Sequence, residues 1–343
     1  MVYSFELVKH ANIRYREAIG RLGRCELVCM LQSLSLSPEV IEESLGGAAF
    51  LSFSCRALND QELQYLSGHS GVVFMAEKTS DGLLRPLSVS SLACLGEDLP
   101  EVLKYKGKTS ASFTRMMLNI ALSLRAGPAA PENMLIFDPL CGKGTSCFCA
   151  LQAGMNAVGL DLDKKAVREA VDYFSRYLRF HGLKHSMTAR AETLDKGSLP
   201  LTEFVFAADK EQYAAGKTRR LQLAVGDTAL SPALFRKRKA QAILADLPYG
   251  IQHAPRSGQS TETFPRLLDR VLPSWSRALD ASGVIALSFN TLTLPTRQVV
   301  SALEKAGFAP MRGGVFENLT HEVEQAVVRN VVFAVKNPEV QQK

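Results

Sequence analysis

The sequence predicts an α/β protein in which a mostly parallel sheet, covered by helices, follows a smaller α+β unit. From residue 110 onward, short apolar runs alternate with helical segments, as expected of strands that are buried on both faces of a parallel sheet. The chain has 343 residues, of which 46% are hydrophobic and 22% charged. It is therefore long enough to form two domains, each with its own core.

The first unit, residues 1–104, is predicted to contain three strands and two helices. The strands are VYSFEL, AAFLSFSC and GVVFMAEK, and the helices are IRYREAIGRLGRCELVCML and NDQELQYLSG. Asn59 is typical of a helix start, and Gly68 is typical of a helix end. This order predicts a split βαβ, ferredoxin-like sandwich. The polar segment GEDLPEVLKYKGKTS then predicts a linker into the second unit, residues 105–343.

The second unit is predicted to begin with a helix from Ser110 that ends at Gly127 and Pro128. Five buried strands follow, in the runs NMLIFD, NAVGLDLD, LQLAVGD, AQAILAD and GVIALSFNT. The last part of the chain contains two further strand-like runs with no helix between them. These two runs predict an antiparallel hairpin at the sheet edge.

A glycine-rich turn, DPLCGKGTS, follows the first of these strands. Gly142 and Gly144 allow the backbone to turn tightly and to approach a ligand before the helix SCFCALQAG begins, and Thr145, just before that helix, is a further candidate for cofactor binding. Ligands of open α/β sheets bind beyond the carboxyl ends of the strands. Asp138 and Pro139 open this turn, and we expect the whole turn to line a cofactor site.

Two cofactor classes use such a turn, and S-adenosylmethionine (SAM) suits these residues better than a dinucleotide. A dinucleotide site requires a third glycine, but Cys147 occupies that position, and Asp138 would oppose a pyrophosphate. SAM has no phosphate and carries a sulfonium and an ammonium group, which carboxylates stabilise. We expect Asp161 to accept from the ribose hydroxyls and Asp227 from the adenine amine. A structural role as helix caps remains an alternative for strand-end aspartates.

The fourth strand ends in Asp246-Leu247-Pro248-Tyr249, a pattern that suits methyl transfer to an exocyclic aromatic amine. The Asp246 carboxylate and a backbone carbonyl held by Pro248 would accept the two N–H bonds of the amine. Tyr249 would provide a flat face on which a base stacks. The alternative is an ordinary D-x-P-x-G surface turn.

These motifs, FDPLCGKGTS, GLDLD, GDT and ADLPYG, resemble those of class I SAM-dependent methyltransferases that act on exocyclic amines. The resemblance is best to the transfer-RNA guanine-N2 methyltransferases that carry a THUMP RNA-binding domain, and it covers about residues 105–343. It implies a Rossmann-like, seven-stranded sheet, SAM as cofactor and tRNA as substrate. In that family the helix start at Thr109 and Phe113 closes over the methionine end of the cofactor. The first unit is too short for a THUMP domain beside a ferredoxin-like one.

The net charge of +6 and three basic clusters are compatible with a nucleic-acid partner. The clusters are RYLRFHGLKH, GKTRR and RKRK. The segment before the third strand is either an RNA-binding element or a silent loop, and a partner subunit or homo-oligomer is a further expectation. The seven cysteines have no zinc-site spacing, and no run is long enough for a membrane span. We therefore expect a cytoplasmic protein with reduced thiols and no metal.

Three functions follow from these observations. The first is methylation of guanine N2 in tRNA with SAM. The second is methylation of adenine N6 in DNA or RNA, because the fourth-strand motif alone does not separate the two amines. The third is a non-catalytic, RNA-binding scaffold that retains the fold. His253 and Asn290 also border the predicted cleft, but a surface role is favoured for the histidine, and strand-end capping explains the asparagine equally well.

Overall fold

The computed structural model describes residues 1–10, 13–88, 95–102, 109–125, 133–248, 256–257, 260–261 and 263–337. The first unit is a five-stranded antiparallel sheet in the order β2-β3-β1-β4-β5. Its elements are β1 (Val2–Leu7), α1 (Ile13–Ser33), β2 (Val40–Leu45), β3 (Ala48–Ser54), α2 (Asp60–Ser67), β4 (Val72–Lys78) and β5 (Leu84–Pro86).

The strand β1 is the centre of this sheet and lies between β3 and β4, antiparallel to both. Because β3 also pairs antiparallel with β2, the strands β1 and β2 run parallel with β3 inserted between them. Helix α2 begins with a reciprocal capping box between Asn59 and Glu62. The three predicted strands and two predicted helices are present, and β2 and β5 are additional. The ferredoxin-like assignment stays a prediction.

The second unit is built on a ten-stranded sheet in the order β15-β17-β14-β11-β6-β7-β10-β9-β8, with β16 paired to β17. Its strands are β6 (Leu135–Asp138), β7 (Asn156–Asp161), β8 (Lys184–Thr193), β9 (Ser198–Ala207), β10 (Arg219–Val225), β11 (Ala240–Asp246), β14 (Leu279–Asn290), β15 (Phe308–Pro310), β16 (His321–Glu324) and β17 (Val327–Lys336). The short strands β12 (Arg256–Ser257) and β13 (Ser260–Thr261) pair only with each other.

The helices of this unit precede β6 or connect the strands of the sheet. They are α3 (Leu99–Val102), α4 (Ala111–Ser123), α5 (Thr145–Gln152), α6 (Lys164–Phe180), α7 (Lys210–Ala214), α8 (Phe264–Ala278) and α9 (Thr296–Lys305), with 3₁₀ helices at Thr228–Phe235 and Gly314–Glu317. The predicted polar linker is thus partly helical, and Leu99 of α3 is fully buried. The predicted domain boundary between residues 104 and 105 lies outside the described residues.

The strand order confirms the predicted mostly parallel, Rossmann-like sheet. The seven central strands are, in chain order, β6, β7, β10, β11, β14, β15 and β17. In the sheet they lie in the order β10-β7-β6-β11-β14-β17-β15, that is, third, second, first, fourth, fifth, seventh and sixth. The first five are parallel, and β17 is antiparallel to both β14 and β15. This is the arrangement of the class I methyltransferase fold. The chain end forms three strands, not the predicted two, because the segment before β16 also contributes β15.

The segment before the third strand forms an antiparallel hairpin, β8 and β9, that widens the sheet beyond its seven central strands. The strand β9 pairs with β10 from Phe206↔Arg219 to Leu201↔Ala224. The strand β9 is buried on both faces, with Leu199 and Leu201 in one hydrophobic cluster and Phe204 and Phe206 in the other, whereas every residue of β8 is exposed or half-buried. The interpretation of this segment as a loop was therefore wrong.

Two hydrophobic clusters cover the two faces of the main sheet. One contains side chains of α4, α5 and α6, together with Tyr15, Ala18 and Leu22 of α1. Helix α1 therefore joins the first unit to this face. The other cluster contains the 3₁₀ helix at Thr228–Phe235, α8 and α9, with Trp275 fully buried at its centre. No helix in the described ranges is both long and apolar enough to cross a membrane.

Candidate cofactor and substrate site

The first and fourth parallel strands end side by side, which brings the two predicted turns to the same edge of the sheet. Strands β6 and β11 are direct neighbours, with Ala242 opposite Ile136 and Ile243 opposite Phe137. Asp138 and Asp246 are the last residues of these two strands. Because parallel strands present their carboxyl ends at one edge, the glycine-rich turn and the Asp-Leu-Pro turn face one region.

The glycine-rich turn has the conformation that its glycines permit. Gly142 and Gly144 have φ of 48° and 88°, in the left-handed region. A Cβ on Gly144 would lie 3.2 Å from Cζ of Phe148, whereas no atom lies within 4 Å of a Cβ on Gly142. The turn is therefore closed on the helix side and open at Gly142. Helix α5 begins at Thr145, which is buried.

Asp138 is a buried carboxyl group at the start of this turn. The backbone amide of Leu140 donates to its Oδ1 at 3.1 Å, and Pro139 beside it is buried. Burial raises the pKa of Asp138 to about 7, the hydrogen bonds from Ser146 and Leu140 lower it, and the negative charges of Asp161 and Asp246 raise it. An ionised Asp138 is therefore repelled by the negative charges of Asp161 and Asp246.

Asp161, at the end of β7, ties the glycine-rich turn to the next loop. Its Oδ2 accepts from the backbone amide of Gly142 at 2.7 Å, and its Oδ1 accepts from that of Asp163 at 2.8 Å. Burial raises the pKa of Asp161, and these two hydrogen bonds lower it. A carboxylate has about four acceptor positions, so ribose hydroxyls can be accepted in addition to these amides.

Asp227 follows β10 at the same edge and has two structural partners. Its Oδ1 accepts from the backbone amide of Ala229 at 2.8 Å, which caps the 3₁₀ helix, and from Nη1 of Arg270 at 2.7 Å. The capping role that the sequence left open is therefore present. A contact with an adenine amine stays a prediction and would use the other oxygen, Oδ2.

Asp246 is held by residues from two distant parts of the chain. Its Oδ2 accepts a hydrogen bond from Thr109, which precedes α4, and lies 3.9 Å from Nη2 of Arg329 on β17. The amide of Leu247 donates to the carbonyl of Ser288 at 2.8 Å, which anchors the start of the Asp-Leu-Pro turn. The side chain of Leu247 is buried and that of Pro248 is half-buried. Tyr249, the predicted stacking residue, lies outside the described residues, as do Gly250 and His253.

Arg329 is a residue of this site that the sequence did not single out. Its side chain is 5% exposed, and its guanidinium lies over the ring of Phe113, 4.4 Å from the ring centroid. Phe113 and Thr109, which the family resemblance suggested, are thus both adjacent to the Asp246 region. An arginine within the apolar run VVRNVVFAVK was the available signal, because a buried arginine on a strand requires a specific partner.

His321 forms part of the same wall. Its ring centroid lies 5.2 Å from that of Phe113 and 5.6 Å from that of Tyr15 on α1. Nδ1 donates to the carbonyl of Leu319 at 2.9 Å, and the buried Nε2 has no hydrogen-bond partner among the described residues. Burial lowers the pKa of His321 to about 4, and the charge of Arg329 contributes in the same direction. The imidazole is therefore neutral at pH 7.

Asn290, which also ends a strand at this edge, has a structural role. Its Nδ2 donates to the carbonyl of Ala326, and its Oδ1 accepts from the amides of Leu292 and Val328. Among the described residues, no group of three or more His, Cys, Asp or Glu side chains is arranged to hold a metal ion.

Comparisons with known proteins describe the fold only. No protein-family model matches the chain, and no curated protein matches its sequence. Solved structures do match. TrmN from Thermus thermophilus is 18% identical, with 87% of this chain and 60% of that chain covered and a TM-score of 0.39. The rRNA methyltransferase aviRa from Streptomyces viridochromogenes is 13% identical, with 71% and 91% covered and a TM-score of 0.41.

A third match is the magnesium protoporphyrin IX methyltransferase from Synechocystis PCC 6803, which is 13% identical, with 83% of this chain and 90% of that chain covered and a TM-score of 0.37. The names of the last two proteins give different substrates, rRNA and magnesium protoporphyrin IX. Similarity at this level is shared by proteins of different specificity and shows the fold alone.

The residues present fit SAM better than an anionic cofactor. Asp161 and Asp246 lie close enough to Asp138 for their negative charges to raise its pKa. A ligand with a sulfonium and an ammonium group would relieve this repulsion, whereas a pyrophosphate would increase it. Lys143, the only cationic side chain within the glycine-rich turn, pairs with Glu169 on α6.

Proposed function

We propose that this protein is a SAM-dependent methyltransferase that methylates an exocyclic nucleobase amine, the N2 group of guanine in tRNA. The observation that carries the proposal is the pairing of β6 with β11, which brings the glycine-rich turn and Asp246 to adjacent positions at one edge. A donor held by the first turn and an amine held by the second would then face each other.

In this proposal the glycine-rich turn holds the cofactor. Gly142 and Gly144 let the backbone approach it, Thr145 begins the helix behind it, and Asp161 accepts from its ribose hydroxyls. Asp138 stabilises its positive charge. SAM, when bound, supplies an electrophilic methyl carbon attached to a sulfonium.

Asp246 positions the amine and stabilises the positive charge that develops on its nitrogen. While Asp246 holds the amine, bound SAM would supply the methyl carbon to the nitrogen lone pair, and its sulfur would take the electrons of the broken C–S bond and become neutral. Hydrogen bonds from the amine N–H groups to Asp246 and to the carbonyl of Leu247 strengthen as charge grows. The methylated amine then releases a proton, which water can accept, so Asp246 need not act as a strong base.

Arg329 and Thr109 orient the Asp246 carboxylate for this task. Both bind the same oxygen, Oδ2, which limits rotation of the carboxyl group. The assignment to guanine N2 and to tRNA is supported by the single proline of ADLPYG and by the resemblance of the motifs to the THUMP-associated enzymes. The basic character of the chain supports an RNA substrate in general.

The test is to identify the nucleoside that becomes methylated. The protein is incubated with SAM labelled in the methyl group and with total tRNA, rRNA or duplex DNA in separate reactions, and each nucleic acid is digested to nucleosides. We expect labelled N2-methylguanosine from tRNA. Label only in N6-methyladenine would overturn the assignment of the amine. SAM binding without transfer to any of the three would favour a scaffold that retains the fold.

A further inference from the structure

Three basic segments that are far apart in the sequence meet at one edge of the main sheet. Helix α6 ends beside the start of β8 at Lys184, β10 begins at Arg219, and β11 begins directly after Lys239. The pairings Lys184↔Ala207 and Phe206↔Arg219 place the starts of β8 and β10 side by side. The starts of the parallel strands β7, β6 and β11 follow in the same row. From β8 to β11 the row spans about 24 Å, at about 4.8 Å per strand.

The cations of this edge are exposed, and all but Arg220, whose guanidinium lies 3.8 Å from Glu203, have no carboxylate partner within the described ranges. Arg179, Lys217 and Lys237, one from each segment, are exposed and form no ion pair there. Two arginines of the first unit differ, because Arg56 pairs with Glu62 and Arg85 with Glu77. Their charges are neutralised, whereas those of Arg179, Lys217 and Lys237 are available to a ligand.

An exposed aromatic residue lies among these cations. Phe180, the last residue of α6, is 85% exposed, the most of any large hydrophobic side chain within the described part of the chain. Arg176 and Arg179 precede it in the last turn of the helix, and both are exposed. Cationic side chains around a flat aromatic face are the combination that binds phosphates together with an unstacked base. Solubility alone does not call for the phenyl ring.

We infer that this edge is an RNA-docking surface separate from the site of methyl transfer. We call it the basic edge and define it by Arg176, Arg179, Phe180, Lys184, Lys217, Arg220, Lys237, Arg238 and Lys239. It lies at the starts of the parallel strands, whereas Asp246 lies at their ends, about 20 Å away along β11 at about 3.3 Å per residue. The inference rests on the proposed RNA substrate.

This placement has a consequence for substrate size. A structured RNA can reach both edges of the sheet, with its phosphates on the basic edge and one nucleotide at Asp246. A short oligonucleotide cannot contact both. The basic edge therefore selects for structured RNA through affinity, without contributing to the chemical step.

The test compares two triple variants with the same change in charge. The first, Arg179→Glu with Lys217→Glu and Lys237→Glu, takes one cation from each basic segment. The control, Lys9→Glu with Lys196→Glu and Arg297→Glu, changes exposed cations elsewhere. Equilibrium binding of unmodified tRNA is measured by fluorescence anisotropy at several salt concentrations, together with KM, kcat and SAM affinity.

We expect the basic-edge variant to bind tRNA at least tenfold more weakly, with the salt dependence of log K reduced by about three. KM should rise accordingly, and kcat at saturating tRNA and SAM affinity should stay within about twofold. The control should lose less than threefold in affinity. Phe180→Ala should weaken binding further without changing the salt dependence.

Equal losses in the two triple variants, or no loss in the first, would overturn the inference. Loss of duplex DNA binding but not of tRNA binding would also overturn it. If the wild-type protein methylates tRNA and the basic-edge variant does so with unchanged KM, the docking surface is wrong and the proposed function stands. If tRNA binding depends on the basic edge but no methyl group is transferred, the docking surface stands and the proposed function is wrong.

Discussion

Asp138 is expected to destabilise the folded protein at neutral pH, because burial favours its protonated form. In the unfolded chain its pKa is close to the ordinary value of 3.8, and in the folded protein it is about 7. The folded state therefore binds this proton more tightly than the unfolded state. Stability from this group is complete below about pH 4 and is lost as the pH rises toward 7. The interval corresponds to about 4 kcal/mol, at 1.36 kcal/mol per pKa unit.

The perturbation is Asp138→Asn, which keeps the shape of the side chain and removes its ionisation. At pH 8 the variant should be more stable than the wild type by about 2–4 kcal/mol, the lower value allowing for relaxation of the site and water entry. Its stability relative to wild type should decrease as the pH falls toward 5. Urea unfolding at several pH values measures this difference, with Asp269→Asn, an exposed aspartate on α8, as the control.

The same carboxyl group should make SAM binding depend on pH. A cationic ligand prefers the ionised form, so affinity should fall about tenfold between pH 8 and pH 6 in the wild type. Asp138→Asn should bind SAM more weakly and without this pH dependence. The reasoning is refuted if the variant is less stable than wild type at pH 8, or if wild-type SAM affinity is constant over this range.

Two further substitutions test the geometry of the site. Arg329→Met removes the cation that lies 3.9 Å from Asp246 and over the ring of Phe113. Because one partner of a nearly buried pair is lost, kcat should fall about 100-fold, equivalent to about 3 kcal/mol. SAM affinity should stay within about twofold. A proportional loss of SAM affinity, measured by calorimetry, would contradict this division of roles. Gly144→Ala forces a left-handed φ on alanine and places its Cβ 3.2 Å from Phe148. The free energy of unfolding, measured by thermal unfolding, should therefore fall by about 1–2 kcal/mol, and SAM affinity should also fall. Unchanged stability would show that the turn can rearrange.

The buried parts of the fold were predictable from the sequence, because burial on both faces leaves a direct signal. The five parallel strands are continuous apolar runs, and each lies where its run predicts. The strand β2 was missed because its sequence, VIEESL, places Glu42 and Glu43 on an exposed edge with no apolar alternation. The strand β8 was missed for the same reason, since none of its residues is buried.

The site was predictable where it consists of contiguous motifs, and less so where it depends on strand register. Asp138 and Asp246 were linked in advance, because the ends of first and fourth strands meet in a doubly wound sheet. Arg329 reaches Asp246 only because β17 inserts antiparallel between β14 and β15, which places Arg329 opposite Asn290 at the same edge. The register between β14 and β17 cannot be read from the sequence. The second partner of Asp227, Arg270, likewise depends on the packing of α8.

The most direct test of the central claim separates cofactor binding from transfer at Asp246. In Asp246→Asn, SAM affinity is measured by calorimetry, and methyl transfer to tRNA is measured under single-turnover conditions. We expect the SAM dissociation constant to stay within about threefold and the transfer rate to fall at least about 1,000-fold, as for loss of a group that stabilises developing charge. Transfer at a rate near that of wild type would contradict the assignment of Asp246 as the acceptor of the amine.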